Sequence, residues 1–368
     1  MSDYAVIMAG GVGTRFWPKG TTKIPKQFLK IANENDTLIQ MAYKRLEGLF
    51  HDAKIFVVTN VNYKNEVRKQ LPKIPEENII CEPMGRNTAP CIGLSCIFIN
   101  QFEQKANVLV VAADHLIENV DEFQRIVRSG LKFVNDNGGI VTLGIQPSSP
   151  ETGFGYIQYD SDNVTEVELE KNGETSVEKI YKVKTFAEKP NLEVAKAFLE
   201  SGDFLWNSGM FIFRTDTMMK EIKNFMPELD ESLTKLSKNL LSNDFLKSLE
   251  AEYSKLKGTS IDYGVMEKAE EVYIIRSNFG WNDVGAWDEV YNIKEKDNEG
   301  NVKQGRTVTI DTKNCLIIND QKMVATIGVE DLLIINTDNG LLICKRGEAQ
   351  SVKEVVDYLR RKGLDQFI

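Results

Sequence analysis

The sequence predicts an α/β protein: a mixed, mostly parallel sheet with helices on both faces, followed by a small β unit and a final helix. Three observations carry this. The first half alternates short, fully apolar runs with helix-like segments, as buried parallel strands and their crossovers do. The opening apolar run leads into a glycine turn, AGGVG at 9–13. After residue 300 helical periodicity gives way to short β-rich runs at close, even spacing.

Residues 5–8 form the first predicted strand, followed by strands at 54–59 (KIFVVT), 79–81, 108–112 (VLVVA) and 140–144. Between them lie predicted helices at 38–49, capped by Asp36 or Thr37, at 63–70, at 87–103, and at 122–135. Such crossovers favour a doubly wound, Rossmann-like layout, whose ligand crevice lies beyond the carboxyl ends of the strands. The turn after the first strand and the loop after Ala112 would both face it. From residue 150 the pattern changes. Runs 156–159 and 180–186 read as antiparallel strands flanking an acidic insert, 160–176, expected to be an exposed hairpin or loop. A helix at 192–201 with Asn191 as cap, a strand at 209–214, amphipathic helices at 216–225 and 229–256, and a strand at 272–276 follow. The later β runs, 307–311, 315–319, 323–327, 332–336 and 341–344, suggest one or two coils of a short β-helix, and 352–361 is helical. The charged, glycine-containing stretch 294–301 marks a boundary between a large domain, 1–293, and a β-rich domain, 300–368.

With 368 residues and 42% apolar content the chain supports a sizeable core. Its net charge of −9 argues against nucleic-acid binding, which needs a basic field. The cations in the first thirty residues therefore read as local and purposeful. Five cysteines (Cys81, Cys91, Cys96, Cys315, Cys344) make no CxxC pair; their odd number and the lack of a leader point to reduced, buried thiols in a cytoplasmic protein. No run approaches ~18 apolar residues, so no membrane span is expected. With only His51 and His115, a multi-histidine zinc site and most histidine acid–base chemistry are excluded.

The segment YAVIMAGGVGTRFWPKGTTKIPKQFL, residues 4–29, carries the chemistry. A strand ending in Gly10, Gly11 and Gly13 brings backbone N–H groups against a phosphate chain, because no Cβ blocks the approach. Arg15 and Lys26 supply the cationic charge that a polyphosphate needs. The plainer alternative is an ordinary strand-to-helix turn with scattered surface cations. No Walker string GxxxxGK[ST] follows Gly10, and Phe16 stands where a dinucleotide fingerprint needs its third glycine, so hydride transfer is a weak reading.

The string resembles the GGxGTRxxP signature, with a downstream lysine, of nucleotidyltransferases that activate sugar 1-phosphates. Its FWP…PKQFL variant resembles that of the mannose-1-phosphate guanylyltransferases, or GDP-mannose pyrophosphorylases. Lys19-Gly20 depart from the Leu-Ser common in that family, a loop difference that should leave the phosphate chemistry intact. The resemblance covers residues 1 to about 350 and places Ala9, Gly10, Gly11, Gly13 and Thr14 at the nucleotide. EPMGRNTAP, 82–90, falls where the family contacts guanine and ribose, making Asn87 and Thr88 candidates and Glu82 the guanine reader.

Asp114, in AADHL past the fourth strand, is the first candidate metal ligand, since magnesium takes one or two carboxylates plus phosphate oxygens. A helix cap is the alternative. Asp283, in FGWNDVGAW, is the candidate second ligand, with Asp262, in SIDYGVMEK, as its rival; each is equally at home in a turn, and the resemblance lines both along the family's pocket. ETGFGY (Gly153, Gly155) suits close approach of a pyranose ring, AEKP offers Glu188 to sugar hydroxyls and Lys189 to the sugar phosphate, and LWNSGMF places Asn207 in an apolar frame.

The resemblance implies attack by mannose 1-phosphate on the α-phosphorus of GTP, assisted by Mg2+, without a covalent intermediate. Alternatives are a transferase for another nucleotide or hexose 1-phosphate, and a catalytically silent subunit that senses nucleotide sugars. The silent subunit would be expected to lack a loop cation or a metal carboxylate, and Arg15, Lys26, Asp114 and Asp283 are all present. Bifunctional relatives carry an added isomerase domain; no isomerase activity is expected here. A homodimer is expected, packed through the β unit and last helix.

Overall fold

The computed structural model describes residues 1–11, 13–171 and 174–368. Val12 of the AGGVG string and residues 172–173 of the acidic insert lie outside the described residues. The chain forms two compact units that do not follow chain order. The first comprises Met1–Gly10, Ala42–Ala113 and Ile117–Trp281; the second comprises Gly11–Met41, Asp114–Leu116 and Asn282–Ile368.

The first unit is built on nine described strands: β1 (Asp3–Ala9), β2 (Ile55–Asn60), β3 (Ile79–Glu82), β4 (Asn107–Ala112), β5 (Ile140–Ile145), β6 (Tyr156–Lys171), β7 (Glu174–Ala187), β8 (Phe204–Arg214) and β9 (Val272–Ser277). Their order is β3-β2-β1-β4-β8-β5-β9-β7-β6. Strands β3, β2, β1 and β4 are parallel, β8 enters antiparallel between β4 and β5, and β9 runs parallel to β5. Val6, Ile7, Val57, Val58, Val110 and Val111 are all fully buried. Neighbours in sequence point to opposite faces, so both faces of the sheet are covered, which is why these strands read as unbroken apolar runs. The helix Val120–Asn137 covers part of one face through Phe123, Ile126, Val127, Leu131 and Val134, the stripe expected at helical spacing. Asn119 caps it, its side chain accepting from Glu122 N at 3.0 Å.

Two elements differ from expectation. The helix predicted at 38–49 ends at Lys44. Beyond it the chain tightens into i to i−3 turns, Leu46 N to Tyr43 O and Glu47 N to Lys44 O, and Gly48 takes a left-handed φ of 80°. Its start is a capping box: Thr37 N donates to Gln40 Oε1 at 3.0 Å and Gln40 N donates to Thr37 Oγ1 at 3.4 Å. The region 229–256 holds two helices, Pro227–Asn239 and Phe245–Lys255, broken where the polar SND run intervenes. The acidic insert takes the hairpin form, one of the two expected, with β6 and β7 pairing through Val164–Tyr181, Glu166–Lys179 and Glu168–Val177.

The second unit contains β10 (Val302–Gln304), β11 (Thr307–Ile310), β12 (Leu316–Asn319), β13 (Val324–Ile327), β14 (Leu332–Thr337) and β15 (Gly340–Lys345). One sheet has the order β10-β12-β14-β15 and a second pairs β11 with β13. All pairings are parallel except the β14–β15 hairpin. Val302, Leu316 and Leu333 stack in register, as successive turns of a short β-helix do. Strand β12 is buried on both faces. Ile317 packs with Cys315 and Ile334 inside the coil, while Leu316 and Ile318 join a core containing Phe16, Trp17, Trp287, Val352 and Val356. The closing helix spans Val352–Arg361, as the sequence predicts. No helix among the described residues is long and apolar enough to cross a membrane.

Candidate active site

In the second unit Gly13 packs directly against Lys26. Gly13 is left-handed, with φ 60°, and a Cβ there would lie 2.5 Å from Lys26 Cβ and 2.8 Å from Lys26 N. Only glycine permits both the conformation and the approach. Phe16 N then donates to Gly13 O at 3.1 Å, closing the short turn Thr14–Phe16 that carries the exposed Arg15. Behind it, Phe16 packs edge-on against Trp287 with centroids 5.1 Å apart, and the Trp287 indole donates to Trp17 O at 3.1 Å. The Trp17 indole in turn donates to Phe367 O at 2.7 Å.

Lys26 follows Pro25 in a second short turn, Lys26–Phe28, and is 7% exposed. Its ammonium donates to Asp114 Oδ2 at 2.8 Å and to the main-chain O of Asp283 at 2.6 Å, and lies 5.7 Å from the Phe16 ring centroid. Asp283 stands in a strained loop. Val284 is left-handed, φ 44°, which costs a β-branched residue roughly 1–3 kcal/mol. The strain is held by Asn282, whose Oδ1 accepts from Val284 N at 2.6 Å while its Nδ2 donates to Glu289 at 3.0 Å. Complete burial of Val284 offsets part of the cost.

Gly13, Thr14, Arg15, Lys26, Asp114 and Asp283 line one cavity of about 380 Å³, together with His115 and Lys353. Burial works to raise the Asp114 carboxyl, but the charges of Lys26 and His115 and the Lys26 hydrogen bond outweigh it and hold Asp114 below the ordinary range. Asp283 is pushed the other way. Burial raises it, Lys26 pulls it down, and the nearby Asp114 charge adds to the rise. Two carboxylates in one cavity, of which only Asp114 is bonded to the Lys26 ammonium, form an oxygen-only donor set that suits a hard divalent cation, since such a charge would relieve the burden on Asp283. Among the described residues no group of three His, Cys, Asp or Glu side chains gathers for a metal. Phosphate oxygens and water would complete the shell.

In the first unit a second cluster gathers the expected sugar residues. Asn207 Nδ2 donates to Asp262 Oδ1 at 2.8 Å, Asn207 N donates to Gly155 O at 2.8 Å, and a Cβ on Gly155 would meet Glu188 Oε2 at 2.5 Å. Lys189 pairs with Glu188 at 3.4 Å from a left-handed backbone, φ 48°. Burial first, then the Asp262 charge, raise the Glu188 carboxyl; burial also raises Asp262 despite the Asn207 amide. Asp262 opens a single π-type turn, Asp262–Met266, which sets its carboxylate against the Asn207 amide of this cluster. Space around Gly153 is open, with no atom within 4 Å of a Cβ built there.

A third group surrounds the end of β3. Glu82 is 5% exposed, accepts from the Tyr253 hydroxyl at 3.1 Å, and places Oε2 3.6 Å from where a Gly10 Cβ would stand. Ala9 O accepts from Thr59 Oγ1 at 2.9 Å, fixing the end of β1. Asn87, left-handed with φ 70°, caps the helix Thr88–Ile99, accepting from Thr88 N at 2.8 Å; Thr88 Oγ1 accepts from Ile261 N at 2.8 Å. Sequence reading missed Tyr253, whose pairing with Glu82 spans 171 residues, and Lys353, which carries no signal beyond an ordinary helical lysine.

Burial pushes Glu82 up to about 7, with the Tyr253 hydrogen bond opposing. Below the ordinary glutamate range the carboxyl is protonated both folded and unfolded. As pH rises toward 7 the unfolded chain releases the proton while the folded chain keeps it, so stability falls by on the order of 2–3 kcal/mol. Glu82→Gln is expected to abolish that loss. Urea unfolding of both proteins from pH 5 to 8 measures it, and parallel pH courses would contradict the burial argument.

Residues 4–300 match the family described as nucleotidyl transferase, and residues 305–359 match the MannoseP isomerase/GMP-like beta-helix domain. Fold and glycine turn together thus define a nucleotidyltransferase. A Klebsiella pneumoniae mannose-1-phosphate guanylyltransferase is 37% identical over 98% of this chain and 75% of its own length, and an Escherichia coli protein of the same name matches equally. The crystal structure of a Thermus thermophilus protein, described as a mannose-1-phosphate geranyltransferase, superposes with a TM-score of 0.84 at 30% identity, covering 98% of this chain and 100% of that one. The chain belongs to the mannose-1-phosphate guanylyltransferase family.

Proposed function

We propose that this chain transfers GMP from GTP to mannose 1-phosphate, releasing pyrophosphate, with Mg2+ held by Asp114 and Asp283. The observation that carries this is Lys26, fixed beneath the glycine turn between the Asp114 carboxylate and the Asp283 carbonyl, in a cavity that Arg15 also lines. A phosphate oxygen of the sugar phosphate forms a new bond to the α-phosphorus as the bond from that phosphorus to the β-phosphate oxygen breaks. Both partners are anions, so catalysis is alignment and charge neutralisation. Magnesium, when bound, supplies charge at the phosphates and helps set them in line. Lys26 offsets charge near the α-phosphorus and Arg15 stabilises the departing β,γ-phosphates. Asn207, Asp262, Glu188 and Lys189 take the sugar phosphate, with Gly153 and Gly155 leaving room for the ring. Glu82 reads guanine, and Asn87 and Thr88 hold the base and ribose segment in shape.

The test is pyrophosphate release across the four ribonucleotides and several sugar phosphates, with and without magnesium. GTP with mannose 1-phosphate is expected to be the preferred pair, and EDTA to abolish turnover. Preference for UTP or dTTP would overturn the guanine assignment; undiminished turnover in EDTA would overturn the metal. The proposal includes a homodimer, supported by exposed Val308, Ile310 and Ile327 on the outer face of β11 and β13. Light scattering at a single chain's mass would remove it.

A further inference from the structure

We propose that Lys353 binds the terminal phosphates of the nucleotide and the pyrophosphate that leaves, so that the β-helical unit contributes a group to the reaction. The inference rests on the nucleotidyl-transfer reading above.

The helix Val352–Arg361 is amphipathic, and it docks through Val352 and Val356, each 2% exposed, into the core that contains Phe16 and Trp17. It packs against the Thr14–Phe16 turn that carries Arg15. Lys353, next to the anchored Val352, is thereby set at the rim of the cavity that Arg15, Lys26, Asp114 and Asp283 line. Among the described residues, three cationic ones other than histidine line this cavity. Lys26 is committed to Asp114 and the Asp283 carbonyl. Arg15 and Lys353 form no hydrogen bond or salt bridge among the described residues, although both stand in a cavity that holds two carboxylates. Arg15 acts on the Asp283 carboxyl through its field alone, and cations held by no direct contact are placed for an incoming anion. Pyrophosphate, once released, carries more charge than one guanidinium balances, and a lysine beside the arginine answers that excess. The shared packing of the helix and the Arg15 turn assigns Lys353 to the same end of the nucleotide as Arg15.

The experiment compares wild type, Lys353→Met and Lys353→Arg in the forward reaction and in pyrophosphorolysis. For Lys353→Met, KM for GTP and for pyrophosphate should each rise about tenfold, the loss of one charge-assisted contact. KM for mannose 1-phosphate and for the nucleotide sugar should stay within about twofold, and Lys353→Arg should recover most of the loss. A folded, active Lys353→Met protein with unchanged GTP and pyrophosphate constants would overturn the proposal. So would equal losses for all four substrates, which would mark a merely structural role. A wild type inert toward every nucleotide would overturn the transferase reading itself. Calorimetric titration of pyrophosphate then decides the site separately, and equal affinity for wild type and Lys353→Met would overturn it.

Discussion

Lys26→Ala is expected to lower kcat/KM by about two to three orders of magnitude, matching a loss on the order of 3–4 kcal/mol of transition-state stabilisation. The ammonium is nearly buried, so its charge is poorly screened, and it is held by two fixed acceptors, so no reorganisation is needed as charge develops. Its removal also takes the larger of two opposing charges and a hydrogen bond from Asp114, leaving His115, which should lift that carboxyl toward the ordinary range. Arg15→Ala is expected to lose a similar amount, because Arg15 is the cation of the glycine turn itself. Steady-state kinetics with a thermal melt of each variant measure this. Near-normal turnover by either variant would refute its role.

Gly13→Ala should be nearly as damaging, though it removes no functional group. The left-handed backbone alone costs a residue with a Cβ roughly 1–2 kcal/mol. The added carbon would also fall 2.8 Å from the Lys26 nitrogen, a backbone atom that cannot swing aside. The turn and Lys26 must therefore part. We expect activity to fall by about a hundredfold or more, since displacement of roughly an ångström at a reacting centre has that effect. The melting temperature should drop as well. A variant with full activity would show that the turn is not held as described.

Much of the first sheet was legible because strands buried on both faces leave no polar alternation to confuse with helix. Val110 and Val111 point to opposite faces and are both fully buried. The glycine turn was legible for a related reason, since few residues tolerate its geometry. Less legible was the β6–β7 hairpin, whose outer reach is charged and exposed, so that its pairing leaves little mark on hydropathy. The partners of Lys26 were only half legible. Asp114 could be found as a carboxylate after a strand, but the Asp283 contact is made through a main-chain carbonyl, which every residue possesses. Tyr253 and Lys353 were invisible because proximity there is created by the fold alone.

The bond from the Trp17 indole to Phe367 bridges 350 positions of chain. Contacts of such span are among the last to close during folding, because the intervening segment must first surrender its freedom. A nascent polypeptide with Trp17 already synthesised therefore lacks this brace behind the Arg15 turn until Phe367 has emerged, 350 positions later.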